Sequence, residues 1–135
     1  MRFRFRTIAT ALACSVLAVP VLAHHAVGDD YDLSRTLTLT GAVSRVEWVN
    51  PHARLYLDVR RGDGTTLTWS IELAPPNALR RRGLDTSALT QGTQVVADVW
   101  AAKDGSQSAS IRAITLPDGR TFSSAPSAWT RQSNR

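Results

Sequence analysis

Three histidines, His24, His25 and His52, and one cysteine, Cys14, are the residues of this chain best suited to bind a metal or move a proton. What the first two can do depends on where the chain is cut. Arg2, Arg4 and Arg6 precede an uncharged run over residues 8–23 that ends Val21, Leu22, Ala23, with Pro20 just upstream. Small residues at the −3 and −1 positions make this a secretory signal peptide, with cleavage expected after Ala23. At about 16 residues the run is marginal for a membrane span.

Cleavage there makes His24 the first residue of the exported chain. Its α-amine and imidazole Nδ1 then form one chelate, the arrangement called a histidine brace in copper proteins. The amine's ordinary pKa of about 7.7–8.0 makes its proton inexpensive to displace at neutral pH. His25 or His52 supplies a third nitrogen, and imidazole-rich sites suit Cu(II), Ni(II) or Zn(II), copper first. The bland alternative is a pair of solvated histidines. A cut one residue away would remove the chelate.

His52 closes the stretch Val46 to His52, VEWVNPH. Asn50 favours an Asx-type turn and Pro51 fixes φ, so His52 emerges on a rigid turn, as ligand, acid/base group, or simple partner of a carbonyl or Glu47. Glu72, three residues after Trp69 and on the opposite face of a strand, reads as a catalytic carboxylate, a partner for arginines, or a solvent-facing residue. Asn50, Trp69 and Glu72 complete the candidate binding residues. No nucleophile elbow, phosphate-cradling glycine loop or carboxylate pair is present, so a non-enzymatic role is expected. An enzymatic reading would need His52 and Glu72 within a few Å in a cleft. Asp29, Asp30 and Asp32 lack the alternate spacing and closing glutamate of a calcium loop and read as an acidic linker.

Charge sharpens the list of partners. The full chain has 16 basic and 11 acidic residues, a formal charge of +5 over 135 residues. Three of the arginines leave with the signal, so the remaining 112 residues carry +2. Arg80, Arg81 and Arg82 then read as a capped helix end, and nucleic acid is not expected as a partner. Cys14 also leaves with the signal, its surroundings departing from a lipoprotein cut, so the exported domain has neither disulfide nor thiol. A soluble periplasmic or secreted protein with no stable membrane insertion is expected, resting on its hydrophobic core.

The elements that must position these residues are strands. Residues 24–35 lack periodicity and read as an extended arm. Residues 36–48 alternate with period two, with a bulge or bend expected at Gly41. Asn50 and Pro51 end that strand. Residues 52–60 alternate Leu55, Leu57 and Val59 against Arg54, Tyr56 and Asp58, Gly62-Asp63-Gly64 marks a hairpin, and residues 65–73 return with Leu67, Trp69, Ile71 and Leu73 on one face. A short helix follows over residues 78–82, capped by Asn77 and stopped by Gly83. Strands at 94–101 and 108–116 and a short element at 120–122 complete a domain over residues 36–122. A tail over 123–135 is expected to be disordered, apart from docking of Trp129.

Three meandering strands, a helix and two or three more strands are the order of an oligonucleotide/oligosaccharide-binding (OB) fold. The expected class is therefore all-β: a small five- to six-stranded OB-like barrel with one short helix between strands 3 and 4. An open sandwich of the same strands is the alternative. Trp48, Trp69, Trp100 and Tyr56 offer stacking platforms on such a barrel, although two or more of the tryptophans belong to its core.

Together the paired His24-His25, Tyr31-Asp32, TLTGAVSRVEWVNPHARLYLDV, WSIEL, PNALRRRG, QGTQVVADVWAAKDGS and LPDGR resemble a family of small exported bacterial proteins of unknown function. The resemblance spans nearly the whole exported chain, and the NPH and WSIEL stretches are its most specific parts. It points to His24, His25, Asn50, His52, Trp69 and Glu72. Ala26, where many similar sequences have serine, and Thr93, where aspartate is common, depart from the pattern without touching a candidate ligand. The resemblance implies export and an intact domain without naming a substrate.

Two functions follow as expectations. One is an exported metal-binding protein using His24 with His52 or His25. The other is a periplasmic binding module for a protein, peptide or glycan with incidental histidines, which requires an exposed cluster of Trp100, Tyr56 or Trp48 away from His52.

Overall fold

The computed structural model describes residues 27–124. The expected signal peptide over residues 1–23, His24, His25 and Trp129 lie outside the described residues. Helix α1 (Val27–Asp30) leads into β1 (Tyr31–Glu47), β2 (Arg54–Arg60), β3 (Thr66–Glu72), α2 (Pro76–Arg81), β4 (Gln94–Ala102), β5 (Ser108–Thr115) and β6 (Thr121–Ser123). The strand order is β3-β2-β1-β4-β5-β6, and a parallel β3–β5 pairing closes the first five into a barrel. That closure, with α2 between β3 and β4, is the OB-like architecture expected from the element order.

Alternation builds the core. Leu55 and Leu57 of β2, Ile71 of β3, Val99 of β4 and Ile114 of β5 are all essentially inaccessible to solvent, and Trp48 and Trp69 pack against them while partly buried. Burying a side chain of this size is worth about 1.5–3 kcal/mol. Leu55→Ala is accordingly expected to cost about 2–5 kcal/mol, seen as a lower urea midpoint with an unchanged m-value.

The long β1 serves two partners. Its first part pairs with β4, its last part with β2, and Ala42 faces both Asp58 and Gln94. Gly41 sits at this handover, and a Cβ there would overlap the Asp58 carbonyl oxygen. The bulge lies elsewhere than expected, between Val43 and Arg45. It takes up the one-residue offset that lets Val43 and Val46 both face the core.

Three boundaries differ from the sequence expectation. β1 begins at Tyr31 within the expected arm, because Tyr31 pairs with Ala102 at the end of β4. Helix α2 starts at Pro76, with Pro75 as its N-cap and no side-chain cap, so Asn77 lies inside the first turn. Its other end is as expected: Gly83 has φ +84°, its N–H donates to Arg80 O, and the Leu84 N–H donates to Leu79 O, a Schellman ending that buries Leu84 on Leu79. The tail is ordered through Ser124, whose N–H donates to Arg112 O and whose Oγ donates to Ile111 O at 2.7 Å.

Five sites, four in connecting turns and one at Asp32 within β1, share one device that the sequence reading missed. Asp32, Asp63, Asp85, Asp104 and Asp118 each accept the backbone N–H two residues on, and the first three also accept that residue's hydroxyl. For all but Asp118 the neighbouring side chain is the main cause that holds the carboxyl below its usual range; for Asp118 it is the Arg120 N–H, followed by the Arg120 side chain. A depressed folded pKa gives stability that is full above the unfolded value of about 3.9 and lost as pH falls through the folded pKa. Stability is therefore expected to be flat from pH 7 to 5 and to fall below about pH 4, with Asp63→Asn flattening that slope in acid-titrated urea unfolding.

Candidate functional site

His52 and Glu72 meet on the outer surface of the barrel at the β2–β3 end. Glu72 lies opposite Arg54, so His52, two residues before Arg54, stands diagonal to it across the strand pair. The Ala53 N–H donates to Ala74 O and the Leu73 N–H to Ala53 O, fixing the chain just after His52. Asn50 and Pro51 are exposed in the preceding turn, joined by a cis peptide bond. The result is a contact of 3.1 Å between His52 Nδ1 and a Glu72 carboxylate oxygen, with the side chains 34% and 22% exposed.

This contact replaces two expectations. Glu72 is a half-buried partner of an imidazole, where a solvent-facing residue or an arginine's counterion was considered. Glu47, the carboxylate considered for His52, is taken elsewhere: Arg45 Nη2 donates to it at 3.0 Å and the Tyr56 hydroxyl donates to it at 3.4 Å. Register decides both outcomes, since Arg45 stands opposite Tyr56 while His52 is carried around the turn towards β3.

Around the pair lies a polar neighbourhood. Arg54 Nη1 donates to Ser70 Oγ at 3.0 Å, and Ser70 and Glu72 face Ser108 and Ser110 across the parallel seam. Tyr31, which sequence reasoning left in the acidic arm, packs here at 8% exposure. Burial, and then the nearby Glu72 charge, raise its phenol pKa above 10, with Ser108 as hydrogen-bond partner opposing the rise. A raised folded pKa means that Tyr31's contribution is complete below about pH 10 and is lost as pH climbs through the folded value. A phenolate absorbance titration compared between wild type and Tyr31→Phe is expected to assign Tyr31 a transition above pH 10.

Of the other predicted residues, Trp69 lies on the inner face, pointing away from Glu72, and Asn50 is brought near His52 only by the turn. His24 and His25 lie outside the described residues. Among the described residues no three of His, Cys, Asp and Glu converge as a metal site; His52 and Glu72 are two potential members of one. A carboxylate on Nδ1 fixes the imidazole tautomer and its plane, the usual support of a histidine that coordinates through Nε2. As an acid/base pair the same groups would need a cleft. The hollows lined by Leu73, Leu79 and Phe122, and by Thr40, Val96 and Pro117, involve neither residue.

The aromatic platform required of a binding module does not form as an exposed cluster. Trp48, Tyr56 and Trp100 are each half-buried, and the Arg45 guanidinium covers the Tyr56 ring at 3.7 Å. Arg80 and Arg81 end α2, and Arg82 Nη1 donates to Ser123 O at 2.7 Å, so part of the basic run serves to hold β6. Among the described residues no helix is long and apolar enough to cross a membrane.

Comparison with known proteins adds a family and a structural likeness. The model of DUF6152, a family of unknown function, matches residues 11–111. Comparison with curated proteins finds no match. Among solved structures, the mitochondrial single-stranded DNA-binding protein Rim1 from S. cerevisiae aligns with a TM-score of 0.49 at 18% identity, covering 65% of this chain and 95% of that one.

Proposed function

The chain belongs to DUF6152, a family of unknown function, and from its own residues we propose that it is an exported, non-enzymatic protein that binds a transition metal, Cu(II) first. The ligands are the α-amine and imidazole of His24, exposed by cleavage after Ala23, and the His52 imidazole oriented by Glu72. His25 is the alternative third ligand. The observation that carries this reading is the 3.1 Å contact between His52 Nδ1 and Glu72 on a strand-fixed turn. Three nitrogens suit Cu(II), which lies highest in affinity among the divalent metals for such donors.

Glu72 acts here through His52. Glu72→Gln keeps the shape of the side chain but removes the charge that favours a donating Nδ1–H, and is expected to weaken Cu(II) binding about tenfold. Isothermal titration of the exported protein, bearing its native N-terminus, checks it. Equal affinity in the variant would remove Glu72 from the site.

A further inference from the structure

We infer that the first half of β1 is an interface between two copies of this chain, paired antiparallel and centred on Thr38. Its ground is a run of backbone that the barrel leaves unpaired. Val43 bonds towards the start of β4, since its N–H donates to Thr93 O and its carbonyl accepts the Gly92 N–H. From Ala42↔Gln94 back to Thr36↔Trp100 the β1–β4 register runs without a shift. Antiparallel alternation therefore turns the backbone groups of Leu37, Leu39 and Gly41 to β4, and those of Thr36, Thr38 and Thr40 the other way. On that other side β2 pairs with β1 only as far as Ala42↔Asp58, although it runs on to Arg60. The two strands part there. Among the described residues no strand meets the outward N–H and C=O groups of Thr36, Thr38 and Thr40.

An open edge is a template for another strand, and natural edges are commonly blocked by lysine, proline or a bulge. This one carries no such block. Residues 36–40 read TLTLT, and the three threonines are exposed. The irregularities of β1 lie outside the run, one before Thr36 and one after Val43.

A second copy fits this edge on two counts. Because TLTLT reads the same in both directions, antiparallel pairing centred on Thr38 sets Thr36 against Thr40 and satisfies the outward groups of both copies at once. Charge agrees. Asp29, Asp30 and Asp32 precede the edge, while Arg60 and Arg61 stand beyond its other end. An antiparallel neighbour lays the acidic start of each copy towards the arginines of the other, and Arg35 falls opposite Gly41 rather than a like charge. The chain's own last residues, 125–135, lack that complement, having Arg131 and Arg135 and no acidic residue.

The exported protein supplies the test, and it does not depend on metal. Thr38→Pro removes an N–H that the β4 ladder does not use, the one setting in which a strand accepts proline. Sedimentation equilibrium is expected to show a wild-type dimer and a dissociation constant raised about 25-fold in Thr38→Pro, roughly fivefold for each of two lost hydrogen bonds. If Thr38→Pro does not fold, two double variants decide. Thr36→Lys with Thr40→Lys faces lysine with lysine and is expected to be monomeric, whereas Thr36→Glu with Thr40→Lys faces opposite charges and recovers the dimer. Crosslinking checks the register, since the exported chain has lost Cys14 with the expected signal and has no other cysteine. On oxidation Thr38→Cys is expected to form a covalent dimer, its two Cα atoms being about 5.5 Å apart and within disulfide reach, and Thr36→Cys is not. A wild type that stays monomeric at the highest soluble concentration, a dimer untouched by these variants, or equal crosslinking from Thr36→Cys overturns the interface. Slow amide exchange at Thr36, Thr38 and Thr40 in dilute monomer also overturns it, because another part of the chain would then cover the edge.

Discussion

Gly41→Ala is expected to destabilise the domain by about 3 kcal/mol or more, near the upper end for overpacked positions. The added Cβ would meet the carbonyl oxygen of Asp58, a backbone atom of the neighbouring strand, and come within 3.1 Å of Leu57 Cγ. Neither neighbour yields easily, since Leu57 is fully buried and Asp58 is held by its pairing with Ala42 and Thr68. Gly62→Ala is the control: nothing lies within 4 Å of its Cβ position, and its expected change is within about 0.5 kcal/mol. Urea unfolding of both variants separates the two cases. Equal midpoints would mean that β1 does not approach β2 this closely at the handover.

The second large effect concerns the site. His52→Ala is expected to weaken Cu(II) binding by about 100-fold, at the upper end of the 10–100-fold usually lost when an outer partner of a ligand is removed. Binding should weaken without vanishing, because the amine and imidazole of His24 remain a chelate. The loss should also exceed that of Glu72→Gln, since one change deletes a donor and the other only its support. Competition titration against a chelator of known affinity measures both. Equal losses in the two variants would indicate that the carboxylate itself coordinates.

Much of the barrel was legible because alternation and turn chemistry are local. Leu55, Leu57 and Val59, the Gly62-Asp63-Gly64 turn with Gly64 at φ +84°, and the glycine stop at Gly83 each declare their element within a few residues. The features that escaped depend on pairing between distant segments. Residues 29–35 show no period, so the β1 start at Tyr31 is visible only through Ala102 of β4. The approach at Gly41 depends on which backbone atom of β2 lies beside it, which a glycine cannot announce. Asp-Xaa-Ser/Thr spacing was present at Asp32, Asp63, Asp85 and Asp104, a local signal that could have been found.

The candidate site divides in the same way. His52 stood out because Asn50 and Pro51 fix the turn before it. Its partner did not, since the choice between Glu47 and Glu72 turns on a diagonal across β2 and β3 that requires the register of both strands. Tyr31 is the residue that sequence reasoning left without a role, lacking any sign that a tyrosine in an acidic stretch is buried where β1 meets the end of β4.

The most direct measurement is Cu(II) titration of protein purified from the periplasm, its N-terminus read by mass spectrometry, beside His24→Ala prepared identically. The expected result is a chain beginning at His24 that binds one Cu(II) and a variant in which that binding collapses. A different first residue, or the same affinity in both proteins, would contradict it.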